Sequence, residues 1–204
     1  MRTNVGRRSG SFAVGAILSV LFSIAPALAD SAMEVGRLTS QPIGHYEFCQ
    51  SNPDECSITT IAPKREKLTD SMWRKIVSVN AAINRQVRPV SDMELYGVEE
   101  FWTYPVNGAG DCEEYVLAKQ LELRNAGLSM SNLLITVLRQ RNGEGHAVLT
   151  VRTDKGDFVL DNLNEKVVEW HNTDYTYLKI QSSRHSGKWV SITNADVPMT
   201  ATVR

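Results

Sequence analysis

Beyond residue 29 the sequence has no apolar run approaching the roughly 18 residues that cross a bilayer as a helix, so no membrane span is expected there. Basic blocks are missing as well. Arg2, Arg7 and Arg8 are the only charged residues before Asp30, and without them 19 basic residues face 23 acidic ones, a net charge of −4. That argues against nucleic acid as a partner. Cysteine is scarce, at three residues, and there is neither an internal repeat nor a low-complexity tract. With 42% hydrophobic and 22% charged residues the chain is neither disordered nor collagenous, and one globular domain is the default.

The charge-poor start reads as a signal peptide. A basic opening leads into an apolar run from Phe12 to about Ile24, then Ala25-Pro26-Ala27-Leu28-Ala29, a small-x-small site expected to be cut after Ala29. The expected division is residues 1–29 as signal and 30–204 as the mature domain, with no membrane span once the signal is removed. The destination expected is the periplasm rather than the medium. The Arg7-Arg8 pair hints at twin-arginine export, but its surroundings suit the general secretory route better.

Export gives the cysteines meaning, because an odd number leaves at least one thiol over. Cys49 and Cys56 flank the turn-rich Gln50-Ser51-Asn52-Pro53-Asp54-Glu55 and are the expected disulfide, with two reduced thiols as the alternative. Cys112 then stands alone. The spacing of these cysteines with His45, His146, His171 and His185 does not suit structural zinc.

Residues 30–63, rich in Ser, Pro, Gly and Thr, read as an irregular N-terminal arm. Thr69 or Asp70 can cap a helix whose apolar stripe is Leu68, Met72, Ile76, Val79 and Ile83, ending before Pro89. From Val90 to Gly110 a long connection holds Phe101, Trp102, Tyr104 and Pro105, too aromatic for an ordinary solvated loop. A second helix follows from Cys112 to Ala126, stopped by Gly127, which puts Cys112 at a helix N-terminus. Period-two patterns then run through 133–138, 146–152, 158–163, 175–181 and 188–192. The expected fold is α+β: helices first, packed on an antiparallel sheet of about five strands.

A lone cysteine at a helix N-terminus gains from the positive end of the helix dipole, and the free N–H groups there can meet an oxyanion. His146 opens one strand and Asp161 lies in the next, so a nucleophile, a base and an orienting acid occur in that order. Register is the difficulty. A turn at Lys155-Gly156 would leave His146 and Asp161 four residues out of step, about 13 Å along a strand, so a longer loop or a bulge is expected. The bland readings are a buried odd cysteine, a surface histidine and an aspartate that merely begins a turn. His45, His171 and His185 read as structural or solvated.

Gly110-Asp111-Cys112-Glu113-Glu114-Tyr115 with Ala118-Lys119, then His146-Ala147-Val148-Leu149-Thr150-Val151, then Leu160-Asp161-Asn162-Leu163 closely resemble the bacterial transglutaminase-like cysteine proteinases. Trp102 and the segment from Cys49 to Cys56 also look like the family pattern. The resemblance implies a papain-like, transglutaminase-type core with Cys112, His146 and Asp161 as nucleophile, base and orienting acid. It implies a periplasmic endopeptidase acting on a protein substrate, such as a large surface adhesin cut near a pair of alanines, with an inner-membrane receptor as a regulatory partner. It also implies calcium, with Asp111 and Glu113, joined by Glu114, matching the family's ligands, and no organic cofactor. Carboxylates beside Cys112 raise its thiol pKa against the helix dipole, and a hard, oxygen-seeking Ca²⁺ offsets them. Equally, acidic residues suit a helix's first turn with no ion at all. For the oxyanion, the Cys112 N–H is one donor and the Trp102 indole N–H a candidate second. Two other functions stay open: a transglutaminase or acyltransferase using the same three residues, and a binding module that keeps the scaffold without turnover.

Overall fold

The computed structural model describes Met1 and residues 32–194, so the expected signal peptide lies outside the described residues. The chain order is β1 (Val35–Thr39), α1 (Ile43–Ser51), α2 (Pro53–Cys56), α3 (Asp70–Gln86), β2 (Arg88–Pro89), α4 (Asp92–Tyr96), β3 (Ala109–Gly110) and α5 (Cys112–Asn125). Then come β4 (Leu133–Arg139), β5 (Gly145–Thr153), β6 (Gly156–Leu160), β7 (Val168–Glu169), β8 (Thr176–Ser182) and β9 (His185–Ile192). Seven strands form one antiparallel sheet in the order β1-β9-β8-β4-β5-β6-β7, while β2 and β3 pair separately in parallel.

The α+β reading holds, and the five strands expected are all present as β4, β5, β6, β8 and β9. The two extra sheet members are edges that carry no periodic signal. β1 is exposed at every residue, so nothing alternates, and β7 is only two residues long. The arm expected to be irregular holds β1, α1 and α2 instead. Its helices were illegible because α1 buries Gly44, His45 and Phe48 rather than an aliphatic stripe, and α2 is a single turn started by Pro53.

α3 begins where expected: Thr69 Oγ1 accepts the Met72 N–H at 3.2 Å. It ends as the chain extends ahead of Pro89. α5 is buried on nearly every side, through Tyr115, Val116, Leu117, Lys119, Gln120 and Leu123. Gly127, at φ +96°, lets the Leu128 N–H return to the Leu123 carbonyl at 3.1 Å and stops the helix. Between these helices and the sheet lies the main core, in which Ile76, Val116 and Leu117 meet Ile135, Leu149, Leu160 and Trp189. The opposite sheet face is apolar too, with Leu134, Val148, Val159 and Ile180 packed beneath Met33, Trp170 and Tyr177.

Cys49 and Cys56 are joined, tying α1 to α2 across a seven-residue separation. Closing so short a loop restrains the unfolded chain modestly. Replacing both cysteines by serine should lower stability by about 2 kcal/mol, read as a fall in the urea midpoint.

Candidate active site

Three elements, α5, β5 and β6, supply the expected residues. The helix start of α5 presents Cys112, the start of β5 presents His146, and Asp161 follows the last residue of β6. The β5–β6 turn is Asp154-Lys155, with Thr153 paired to Gly156, one residue earlier than expected. Extending that register sets Leu163 across from His146, so Asp161 is a diagonal neighbour on the same face, two residues out of step rather than four. No bulge is needed. His146 Nε2 and Asp161 Oδ1 lie 2.8 Å apart, and both side chains are almost fully buried.

Asp161 is heavily engaged. Oδ1 also accepts the Leu163 N–H at 2.9 Å, and Oδ2 accepts the Tyr175 hydroxyl at 2.6 Å. Burial pushes its carboxyl up, but the bonds from His146, Tyr175 and Leu163 outweigh that and hold it below the ordinary aspartate value. The Tyr175 ring stands edge-on to the imidazole, 5.8 Å between centroids. With Nε2 committed to Asp161, Nδ1 is the nitrogen left for chemistry.

Cys112 and His146 line one open cleft of about 640 Å³, with Trp102 and Glu113 in its walls and Ile43 and Leu163 as apolar sides. Cys112 Sγ donates to Glu113 Oε2 at 2.9 Å. Burial, the Glu113 charge and that hydrogen bond push the thiol pKa well above its ordinary value; the Ala147 main-chain N–H opposes them, and the Asp111 charge adds to the rise. Glu113 is itself raised, by burial and by Asp111 beside it. Among these neighbours the protonated thiol is favoured.

Trp102 is buried against Gly44, where a Cβ would sit 2.2 Å from the indole Cδ1. Its N–H is donated to Glu100 Oε2 at 3.1 Å and would have to leave that bond to meet an oxyanion. The other three histidines lie outside the cleft. His45 is buried beside Trp189 and Trp102, and burial lowers its pKa to about 4.

Behind the nucleophile a second carboxylate group converges: Asp92, Asp111 and Glu114 each place an oxygen within 4.8 Å of the others. Glu114 bridges the Asp111 and Thr103 N–H groups at 2.8 and 3.2 Å, and Asp111 Oδ2 accepts the Asp92 N–H at 3.1 Å. Asp92 Oδ1 and Asp111 Oδ1 are buried with no donor among the described residues. Burial raises Asp92 to about 6 and Glu114 to about 8, with neighbouring carboxylates adding to both. An all-oxygen set with two unserved buried oxygens fits a hard divalent cation. Asp111 and Glu114 were expected from sequence; Asp92 was not. It lies in α4, inside the connection read as a loop, and the Ser91-Asp92 start of that helix was the one available signal. Glu113, expected beside them, faces the thiol and Asp111.

Comparison with known proteins decides the family. The profile of the bacterial transglutaminase-like cysteine proteinases matches residues 35–197. The chain belongs to that family. No curated protein matches it. Among solved structures it is similar to LapG of Legionella pneumophila, at TM-score 0.51 and 23% identity over 61% of this chain and 71% of that one. Calcium-bound LapG from the same organism gives 0.50 and 22% over 63% and 77%. The EGTA-treated form gives 0.50 and 23% over 58% and 67%. At such identity the likeness shows the fold, a mixed helix and antiparallel sheet of transglutaminase-like type. Membership makes this bacterial transglutaminase-like cysteine proteinase a cysteine-type endopeptidase with a protein substrate.

Proposed function

We propose that the protein is an exported, calcium-dependent cysteine endopeptidase in which Cys112, His146 and Asp161 form the catalytic triad. The observation that carries the reading is the buried His146–Asp161 pair, opening on the cleft that holds the cysteine at the start of α5. His146 Nδ1 takes the Cys112 proton, and the sulfur attacks the scissile carbonyl carbon. The oxyanion meets the Cys112 N–H, the first free donor of α5. The C–N bond then breaks as the imidazolium gives its proton to the leaving amine. Water deprotonated by His146 resolves the thioester and regenerates the thiol. Asp161 keeps the imidazole in the tautomer with Nδ1 facing the sulfur.

Asp92, Asp111 and Glu114 would hold calcium, with Glu113 placed between that group and the thiol. Bound there, the ion supplies positive charge that offsets the carboxylates raising the thiol pKa. Hydrolysis is favoured over acyl transfer because water is the default acceptor. Processing of a surface adhesin in the periplasm, with 1–29 as cleaved signal and 30–204 as the mature unit, extends this reading from the family resemblance. A regulatory receptor at the inner membrane belongs to the same extension. Among the described residues no helix is long and apolar enough to cross a membrane.

The test is iodoacetamide labelling of Cys112 from pH 5 to 9 with calcium present. Wild type should label well below the free-thiol pKa of about 8.5, and His146→Ala should slow labelling at pH 7 by about tenfold. Slow labelling that ignores His146 would favour the binding-module reading instead.

A further inference from the structure

The carboxylates behind the nucleophile also hold a piece of main chain. Asp92 Oδ2 accepts the Phe101 N–H at 2.5 Å, and Glu114 Oε1 accepts the Thr103 N–H at 3.2 Å. Trp102 is the residue between them. α4 starts with Asp92 and ends with Tyr96, whose ring lies 4.7 Å from that of Phe101, so this helix meets the segment at both of its ends.

Glu100, Trp102, Cys112 and His146 line one cleft, which makes this segment part of the wall that a peptide substrate meets. The Trp102 indole is buried against Gly44 and stands edge-on to His45, 5.4 Å between centroids, with its N–H on Glu100. The position of that wall therefore depends on how the main chain on either side of Trp102 is held.

Neutral acceptors would hold the two N–H groups without difficulty. A carbonyl or amide oxygen satisfies an N–H donor and brings no charge, whereas carboxylates gathered in a buried site repel one another and lose their water. Asp92 and Glu114 are both fully buried, and Asp111 places an oxygen within 4.8 Å of theirs. Asp92 spends Oδ2 on the segment while its Oδ1 has no donor among the described residues. Holding the segment and holding a cation thus fall to the same side chains, and a cation is what makes their charge tolerable.

We propose that Asp92 and Glu114 are positioning residues that tie cation binding to the substrate-facing wall: with the cation in place they fix the main chain on both sides of Trp102, and without it that segment loosens. Calcium then acts on the cleft that receives the peptide as well as on the thiol. The inference rests on the calcium reading above, and the test separates the two.

The experiment follows amide exchange by NMR at Phe101, Thr103 and Asp154, in EGTA and in calcium at about 100 times the Kd measured by calorimetry. Asp154 is the reference, an exposed turn residue at the far end of β5 from His146 whose N–H is bonded to the Glu66 carbonyl. At that concentration an opening that releases the ion is slowed by up to about 100-fold. Phe101 and Thr103 should exchange at least about tenfold more slowly with calcium, in wild type and in Cys112→Ala alike, while Asp154 is unchanged. Asp92→Asn keeps an acceptor for the Phe101 N–H but should show about tenfold less slowing at the same calcium concentration. A peptide carrying adjacent alanines should bind Cys112→Ala about fivefold or more tightly with calcium, although no thiol is there to ionise. If calorimetry shows calcium binding yet Phe101 and Thr103 exchange as in EGTA, or the peptide binds equally in both states, the coupling is wrong and the metal site stands. Absence of calcium binding would remove the calcium reading and this inference with it. Equal slowing at Asp154 would show a general tightening, full slowing in Asp92→Asn would take Asp92 out of the path, and either result overturns the proposal.

Discussion

Cys112→Ala should abolish peptide cleavage, by a factor of about 10⁴ or more, while the unfolding temperature stays within a few degrees of wild type. The size of the loss follows from the mechanism: without the sulfur there is no acyl-enzyme, and His146 and the α5 N–H groups are left with only water to activate. The small effect on folding follows from position. Cys112 is half-buried at the first turn of α5, and the interior of that helix is fixed by Val116, Leu117 and Leu123 further along. Alanine at the first helical position keeps the backbone and removes a thiol that donates to Glu113. Cleavage of a peptide carrying adjacent alanines, followed by mass spectrometry, measures the first effect, and calorimetry the second. Substantial remaining cleavage would remove Cys112 as nucleophile.

What the sequence disclosed followed the strength of each periodic or chemical signal. α3 and α5 were legible because a capping threonine, an apolar stripe and a stopping glycine agree with one another. The five strands were legible as apolar and β-branched runs bounded by turn residues, although β4, β5 and β6 are buried on both faces rather than alternating. β1 was not, since every one of its residues is exposed and it is held only by main-chain pairing to β9. The triad residues could be named from type and order, and the family resemblance joined them. Their contact could not be judged, because a one-residue shift of the β5–β6 turn changes the diagonal offset by two positions. Tyr175, which bonds Asp161, and Asp92, which joins the carboxylates, reach the site through tertiary folding from a strand entrance and a short helix. Nothing local in sequence marks such partners. Lys119 was visible only as part of a motif; its burial emerges from the packing of α5 alone.

Stripping calcium with EGTA should depress Cys112 alkylation and peptide cleavage at pH 7 by at least about 100-fold, reversibly on adding the ion back. Without a cation the thiol is held well above its ordinary pKa by burial, by Glu113 and by Asp111. A thiol with a pKa of about 9 is already only about 1% ionised at pH 7, and each further unit removes another tenfold. The same carboxylates set the pH dependence. Asp92 and Glu114 are raised to about 6 and about 8, so their protonation contributes stability that is fully present below about pH 4 and is lost as pH rises through those values. Calcium held by Asp92, Asp111 and Glu114 would compete with their protons, so its binding would release them. The rise in unfolding temperature on adding calcium should therefore be small at pH 5 and grow steadily to pH 8. Asp92→Asn should weaken calcium binding by about tenfold or more in calorimetry, leaving the ion-free protein at least as stable near pH 8, where one of three crowded charges has gone. Calcium-stripped protein that alkylates at the untreated rate would sink the metal site. Retained calcium affinity in Asp92→Asn would instead move the ion toward Asp111 and Glu113, the pair beside the nucleophile.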